Sequence, residues 1–166
     1  MVGKTVFVTV GTTHFDALIA AVVEEATLKI LVERGYTNVV LQIGDGKVIP
    51  KEHFEGIELS YFRLKPSIAA SFAAADLVIS HAGAGSCLEG LEAGKPLVAV
   101  VNDTLMANHQ TELAEELSNH GFCIFCYPST LQSTLANLDI KQLKKYVPGN
   151  PKLLAQHLDS VIKLMP

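Results

Sequence analysis

The sequence has no surplus of positive charge. Its 13 Lys and Arg stand against 17 Asp and Glu, a net charge of −4 with histidine neutral. The basic footprint that tracks a phosphate backbone is missing, and nucleic acid is not an expected partner. No apolar run approaches the roughly 20 residues that a membrane span needs. The opening MVGKTVFVTVGTT holds a short β-branched run that leads into a glycine turn, unlike a signal or transit peptide. Valine at position two excludes N-myristoylation. Cysteines are few and odd in number, Cys87, Cys123 and Cys126, which suits reduced thiols in the cytosol. Cys123 and Cys126 have C-x-x-C spacing, but GFCIFCY reads as a strand, where residues three apart point to opposite faces. A structural role is expected for them rather than a redox one. No His, Cys or Asp cluster has metal-ligand spacing. Internal repeats, low-complexity segments and linkers are absent too.

What is present is apolar: 49% of 166 residues are hydrophobic, enough for one globular domain over residues 1–166 with a full core. Strand and helix patterns alternate almost throughout. Residues 5–10 (TVFVTV) read as a strand turned by Gly11, Thr12 and Thr13. Residues 15–33 read as one long helix, with Leu18, Ile19, Val22, Val23, Ala26, Ile30 and Leu31 at helical spacing and Gly35 as its stop. Residues 38–43 and 57–62 read as strands, followed by a short helix SIAASFAAA after Pro66. LVIS, the loop HAGAGS, a helix LEGLEAG ending at Gly94, the strand LVAVV and a helix from NHQTELAEEL come next. GFCIFCY is the last strand; short helices are expected over residues 130–137 and 139–145, and an amphipathic one over 152–165. Such alternation with branched, buried strands predicts an α/β fold, a Rossmann-like parallel sheet with helices on both faces. Right-handed crossovers then bring the loops GTT, IGDG, HAGAGS and VNDTLMANHQ to one sheet edge.

A strand that runs through glycines into a helix makes an anion site, because backbone N–H groups approach the ligand and the helix end carries roughly +0.5 charge. Gly83, Ala84, Gly85 and Ser86 form that loop after LVIS, and Gly11, Thr12 and Thr13 a second one. One glycine would satisfy a plain tight turn, and a threonine can serve as a helix N-cap. Glu89, Asn108, His109 and Gln110 around the loop suit the hydroxyls of a sugar nucleotide. A dinucleotide site is the weaker alternative. Gly83 and Gly85 supply two glycines of G-x-G-x-x-G, and Asp103 sits where a ribose acid would, but Leu88 replaces the third glycine.

Four motifs, VFVTVGTT-x-FD-x-LI, LVISHAGAGSCLE, GKPLVAVVN and NHQ-x-ELA, together resemble one family. It is the cytosolic catalytic subunit of the two-part UDP-N-acetylglucosamine transferase of asparagine-linked glycosylation. The resemblance runs from about Val6 to the last helix and implies the C-terminal, donor-binding half of a GT-B glycosyltransferase. It implies transfer of GlcNAc from UDP-GlcNAc to the lipid-linked acceptor GlcNAc-diphosphate-dolichol, with inversion and a β-1,4 linkage. It also implies no cofactor or bound metal, and a place on the cytosolic face of the endoplasmic reticulum through a membrane-anchored, acceptor-binding subunit. A related bacterial peptidoglycan transferase has its own acceptor domain and a Q-x-x-N-A motif; here Leu113 takes the asparagine position.

The resemblance implies ribose binding for Glu89 and sugar contacts for His109 and Gln110, while Asn108 is equally suited to an N-cap. His81 can act protonated on a diphosphate leaving group or as a neutral hydrogen-bonding residue. No residue reads as the catalytic base, which is expected on the partner chain. Residues 152–165 are expected to dock onto that partner. A non-enzymatic nucleotide-binding module with the same fold remains the alternative, and an NAD-dependent oxidoreductase a lesser one.

Overall fold

The structure, a computed structural model, describes residues 3–104 and 109–147. The expected amphipathic helix over 152–165 lies outside the described residues. A seven-stranded sheet organises the rest, in the order β3-β4-β2-β1-β5-β6-β7. Its strands are β1 (Lys4–Thr9), β2 (Tyr36–Gln42), β3 (His53–Phe54), β4 (Ile57–Phe62), β5 (Leu77–His81), β6 (Leu97–Val100) and β7 (Ile124–Cys126). All neighbours pair in parallel except β3, which runs antiparallel to β4. The helices are α1 (Asp16–Val23), α2 (Glu25–Glu33), α3 (Ala69–Ala74), α4 (Ala84–Glu92), α5 (His109–Asn119) and α6 (Leu131–Ala136).

The strands are apolar on both sides because both faces are covered. On one face Val6, Val8, Leu41 and Ile79 pack with Leu18, Ile19 and Val22 of α1, Leu28 and Leu31 of α2, and Leu131 and Leu135 of α6. On the other, Phe7, Val78 and Ala99 pack with Phe72 of α3, Cys87 and Leu91 of α4, and Leu113, Ala114 and Leu117 of α5. The cysteine pair divides as strand alternation requires: Cys126 joins the first cluster and Cys123 the second. Burial pushes the thiols up, to about 12 for Cys87 and Cys123 and about 11 for Cys126, so all three stay protonated at neutral pH.

The chain departs from its pattern in three places. The expected helix over 15–33 is broken at Glu24, whose backbone is extended (φ −61°, ψ 134°). The break re-phases the second half: Thr27, Leu28 and Leu31 turn inward, and Ala26 is exposed. Neither proline nor glycine marks the site, so periodicity alone joined two helices of similar phase. Strand β3 is a two-residue hairpin arm, closed by Glu55 and Gly56 with Gly56 at φ +85°. Two residues are too few to show alternation. The segment expected as a helix over 139–145 holds only a 3-10 turn, Ile140–Gln142, whereas the helix expected over 130–137 is present as α6, preceded by a 3-10 turn, Pro128–Thr130.

Phe72 is 1% exposed and meets Phe7 edge-on at 5.2 Å between ring centroids. Phe72→Ala removes that aromatic pair and leaves a cavity beneath α3, so it should cost about 3–5 kcal/mol. Chemical denaturation should show the lower midpoint.

Candidate functional site

The chain goes from β1 outward through β2 to β4, then returns to place β5 on the other side of β1. The loops after β1 and β5 therefore diverge, and the gap between them is where ligands enter open α/β sheets. A cleft of about 500 Å³ lies there, lined by Gly11, Thr12, Gln42, Leu64, Lys65, Pro66, Ser67, Ile68, His81, Gly83, Gly85, Ser86 and Glu89. From the sequence-predicted set, it gathers Gly11, Thr12, His81, Gly83, Gly85, Ser86 and Glu89.

Helix α4 starts sooner than the glycine pattern suggests. Gly83 is its N-cap and Ala84 its first residue, so Gly85 and Ser86 lie in the first turn and not in a loop. No side chain caps this end, which leaves the first-turn N–H groups for a ligand. Glu89 stands half-buried beyond that turn, whereas Glu92 is exposed and does not line the cleft. Ala84 is exposed and also outside the cleft wall.

His81 ends β5 and fills the space between the two glycine loops. A Cβ on Gly11 would lie 2.6 Å from its Cε1, and one on Gly83 would lie 2.3 Å from its Nε2. Gly11 also has φ +70°, so both its conformation and its neighbour require glycine. Burial pushes the His81 imidazole below its ordinary value, partly offset by the Thr9 backbone. Of the two roles open to it, the neutral hydrogen-bonding one fits this environment.

The first loop is held from the side. Asp45 N–H donates to the Thr13 carbonyl at 3.2 Å, and Gly44 packs so close that a Cβ would lie 1.8 Å from that oxygen. Arg63 Nη1 donates to the carbonyls of Gly44 and Gly46, both at 2.9 Å, and the Asp16 carboxylate accepts from the N–H groups of Lys47 and Val48. Neither threonine caps α1: its N-cap is Phe15, and the Thr13 hydroxyl donates to the Val10 carbonyl at 3.4 Å. Thr13 is thus turned away from the cleft that Thr12 lines.

Gln110 lies in the first turn of α5, outside the cleft wall, and its Oε1 is buried without a partner among the described residues. Asn108 and the side chain of His109 lie outside the described residues. Two features of the cleft escaped the sequence reading. One is the wall 64–68, which follows the parallel strand β4 and so belongs to the same edge as the other loops. Its Lys65 Nζ sits 4.0 Å from the Phe62 ring centroid. The other is Gln42, a polar residue ending a buried strand. No cluster of His, Cys, Asp or Glu among the described residues could hold a metal ion.

A model of the glycosyltransferase family 28 C-terminal domain matches residues 5–159. The chain belongs to that family. Within family 28, the "UDP-N-acetylglucosamine transferase subunit ALG13" of Mus musculus is 54% identical over 124 residues, covering 74% of this chain and 11% of that protein. The human relative of the same name is 52% identical with the same coverage, so the chain spans about a tenth of the length of both. The Kluyveromyces lactis subunit of that name is 35% identical, covering 68% of this chain and 74% of its own length. Among solved structures, the NMR structure of ALG13 superposes with a TM-score of 0.73 at 24% identity, covering 97% of this chain and 98% of that one. Acinetobacter baumannii MurG superposes at 0.68 and 20% identity, covering 98% of this chain but 50% of MurG. The fold is the Rossmann-like half of a GT-B glycosyltransferase, as the resemblance implied.

Two outcomes follow for the family 28 site. Gly83→Ala should displace the His81 ring, read as a shift of its imidazole signals in NMR, while circular dichroism stays unchanged. An NMR titration should find the His81 midpoint below the ordinary value of about 6.5. The unfolded chain takes up this proton first, so the His81 contribution to stability is whole above about pH 6.5 and declines as pH falls toward the folded midpoint.

Proposed function

We propose that the chain is the donor-binding catalytic subunit of a UDP-GlcNAc-dependent N-acetylglucosaminyltransferase. In this reading it transfers GlcNAc from UDP-GlcNAc to GlcNAc-diphosphate-dolichol, with inversion and a β-1,4 linkage. It works with a membrane-anchored acceptor-binding subunit on the cytosolic face of the endoplasmic reticulum. The observation that carries the reading is the cleft at the β1/β5 switch point. It sets two glycine loops, an uncapped helix N-terminus and the Glu89 carboxylate around one space. The shared name of the relatives supports the choice of sugar nucleotide.

The parts divide by chemistry. The N–H groups of Gly85 and Ser86, with the dipole of α4, meet the diphosphate, and the charge that develops on departing UDP falls where those donors already point. Lys65 is the permanent cation among the described lining residues. Glu89 accepts from the ribose hydroxyls in short, charge-assisted bonds. Leu64 and Ile68 offer apolar surface to a planar base. Neutral His81 hydrogen-bonds the diphosphate or stays behind it as a spacer between the glycines. A base for the acceptor hydroxyl comes from the partner chain, and residues 152–165 hold that partner.

Glu89→Ala should weaken donor use by about tenfold to over a hundredfold at limiting UDP-GlcNAc, with the fold intact. Full activity in that variant would remove the ribose role. Calorimetry should find UDP-GlcNAc bound more tightly than NAD(H); the reverse order would turn the site into a dinucleotide site. Truncation before residue 152 should abolish co-purification with the membrane subunit and leave UDP-GlcNAc binding in place. Donor binding without transfer alongside the membrane subunit would favour a non-enzymatic module.

A further inference from the structure

Among the described residues, four polar ones are buried in the otherwise apolar core, and three of them form one row. Thr9 pairs in register with Gln42 on one side and with Ser80 on the other. All three stand one level beneath the loops that line the cleft, at the ends of β2, β1 and β5. The other buried positions in these strands are aliphatic or aromatic, so polarity here has a cost that only hydrogen bonding offsets.

The bonds give the row a direction. Gly11 N–H donates to Thr9 Oγ1 at 3.1 Å, and the Thr9 hydroxyl in turn donates to Gln42 Oε1. That arrangement uses the hydroxyl both as acceptor and as donor, with the amide carbonyl of Gln42 facing Thr9. The amide nitrogen then points the other way. No described residue accepts from Nε2, yet that nitrogen is not sealed from solvent, and Gln42 lines the cleft. At 3% exposure the residue opens nowhere else to any useful extent.

We propose that Gln42 is a ligand-binding residue of this site, whose fixed amide N–H₂ donates to an oxygen of the nucleotide diphosphate. The inference rests on the donor-nucleotide reading above and adds a contact to it. The chain Gly11–Thr9–Gln42 also ties this donor to the first glycine loop, so two donors from adjacent strands are held in one fixed relation. A Gln side chain is suited to this: one end takes the Thr9 proton and the other offers two N–H bonds without carrying charge into the core. The recognised chemistry is an acceptor oxygen, which a uracil carbonyl could also provide, and the ligands used in the test separate the two.

The experiment titrates UDP and uridine into the wild-type chain, Gln42→Glu and Gln42→Met, followed by NMR. Gln42→Glu keeps an acceptor for Thr9 but places a carboxylate oxygen toward the phosphates. It should weaken UDP at least about tenfold and leave uridine unchanged. Gln42→Met keeps the volume and removes the donor, so a smaller loss confined to UDP is expected. As pH falls from about 8 to about 5, the Glu variant should regain UDP affinity relative to wild type. Its protonated carboxyl donates again, whereas the Met variant shows no such recovery. Wild-type affinity for UDP in the Glu variant, or an equal loss for uridine, would overturn the assignment. Should Gln42→Glu not fold, undiminished UDP affinity in Gln42→Met overturns it as well. A wild-type chain that does not bind UDP would take down the donor reading itself, a failure distinct from that of Gln42 alone.

Discussion

One side chain sets the geometry of the cleft. The His81 imidazole occupies the volume that a Cβ would need on both Gly11 and Gly83, so its ring is the spacer between the loops that follow β1 and β5. The two glycines are thereby constrained for different reasons. Gly11 must adopt a positive φ and clear the ring, while Gly83 has an ordinary backbone and needs only to clear the ring. Burial keeps that spacer uncharged near neutral pH, and in the proposed donor reading the attraction for a diphosphate then falls to backbone N–H groups, a helix dipole and Lys65. The N–H groups and the helix are fixed by the fold, whereas Lys65 is an exposed side chain.

The layers beneath serve the same end. The first loop is buttressed by Gly44 and Asp45, whose own loop after β2 is tethered by Arg63 and Asp16, and the row Ser80–Thr9–Gln42 lies below. Asp16 belongs to a stretch that carried the family resemblance, yet its carboxylate is spent on the N–H groups of Lys47 and Val48. A residue can mark a family through the support it gives a loop, with no reach into the cleft.

Much of this was legible beforehand, and the failures share a cause. Parallel alternation, the sheet edge that carries the loops and the turn from β5 through glycines into α4 all follow from local periodicity and punctuation. The opposite facing of Cys123 and Cys126 followed from strand geometry alone. The break at Glu24 was not legible, because the apolar stripes on either side differ by a residue or two and nothing in the sequence punctuates them. The wall 64–68 was legible in principle, since β4 is parallel and its following loop obeys the same edge rule as the other four. Gln42 passed as one more residue of a strand, because its partner Thr9 lies 33 positions away and only register brings them together. Helix α4 began earlier than expected because glycine is well tolerated at a helix N-cap and does not mark the end of a loop there.

The outer strands of the sheet carry a consequence for assembly. Among the described residues, one edge ends in β3, two residues long and antiparallel, and the other in β7, three residues long. Both terminal strands are too short to template a long further strand. Strand addition onto β3 or β7 is thus a poor route for another polypeptide to join this molecule. A second chain that avoids those strands would bind by packing side chains onto helices and loops. Its specificity would then reside in surface shape and composition, which can change by substitution without disturbing the sheet.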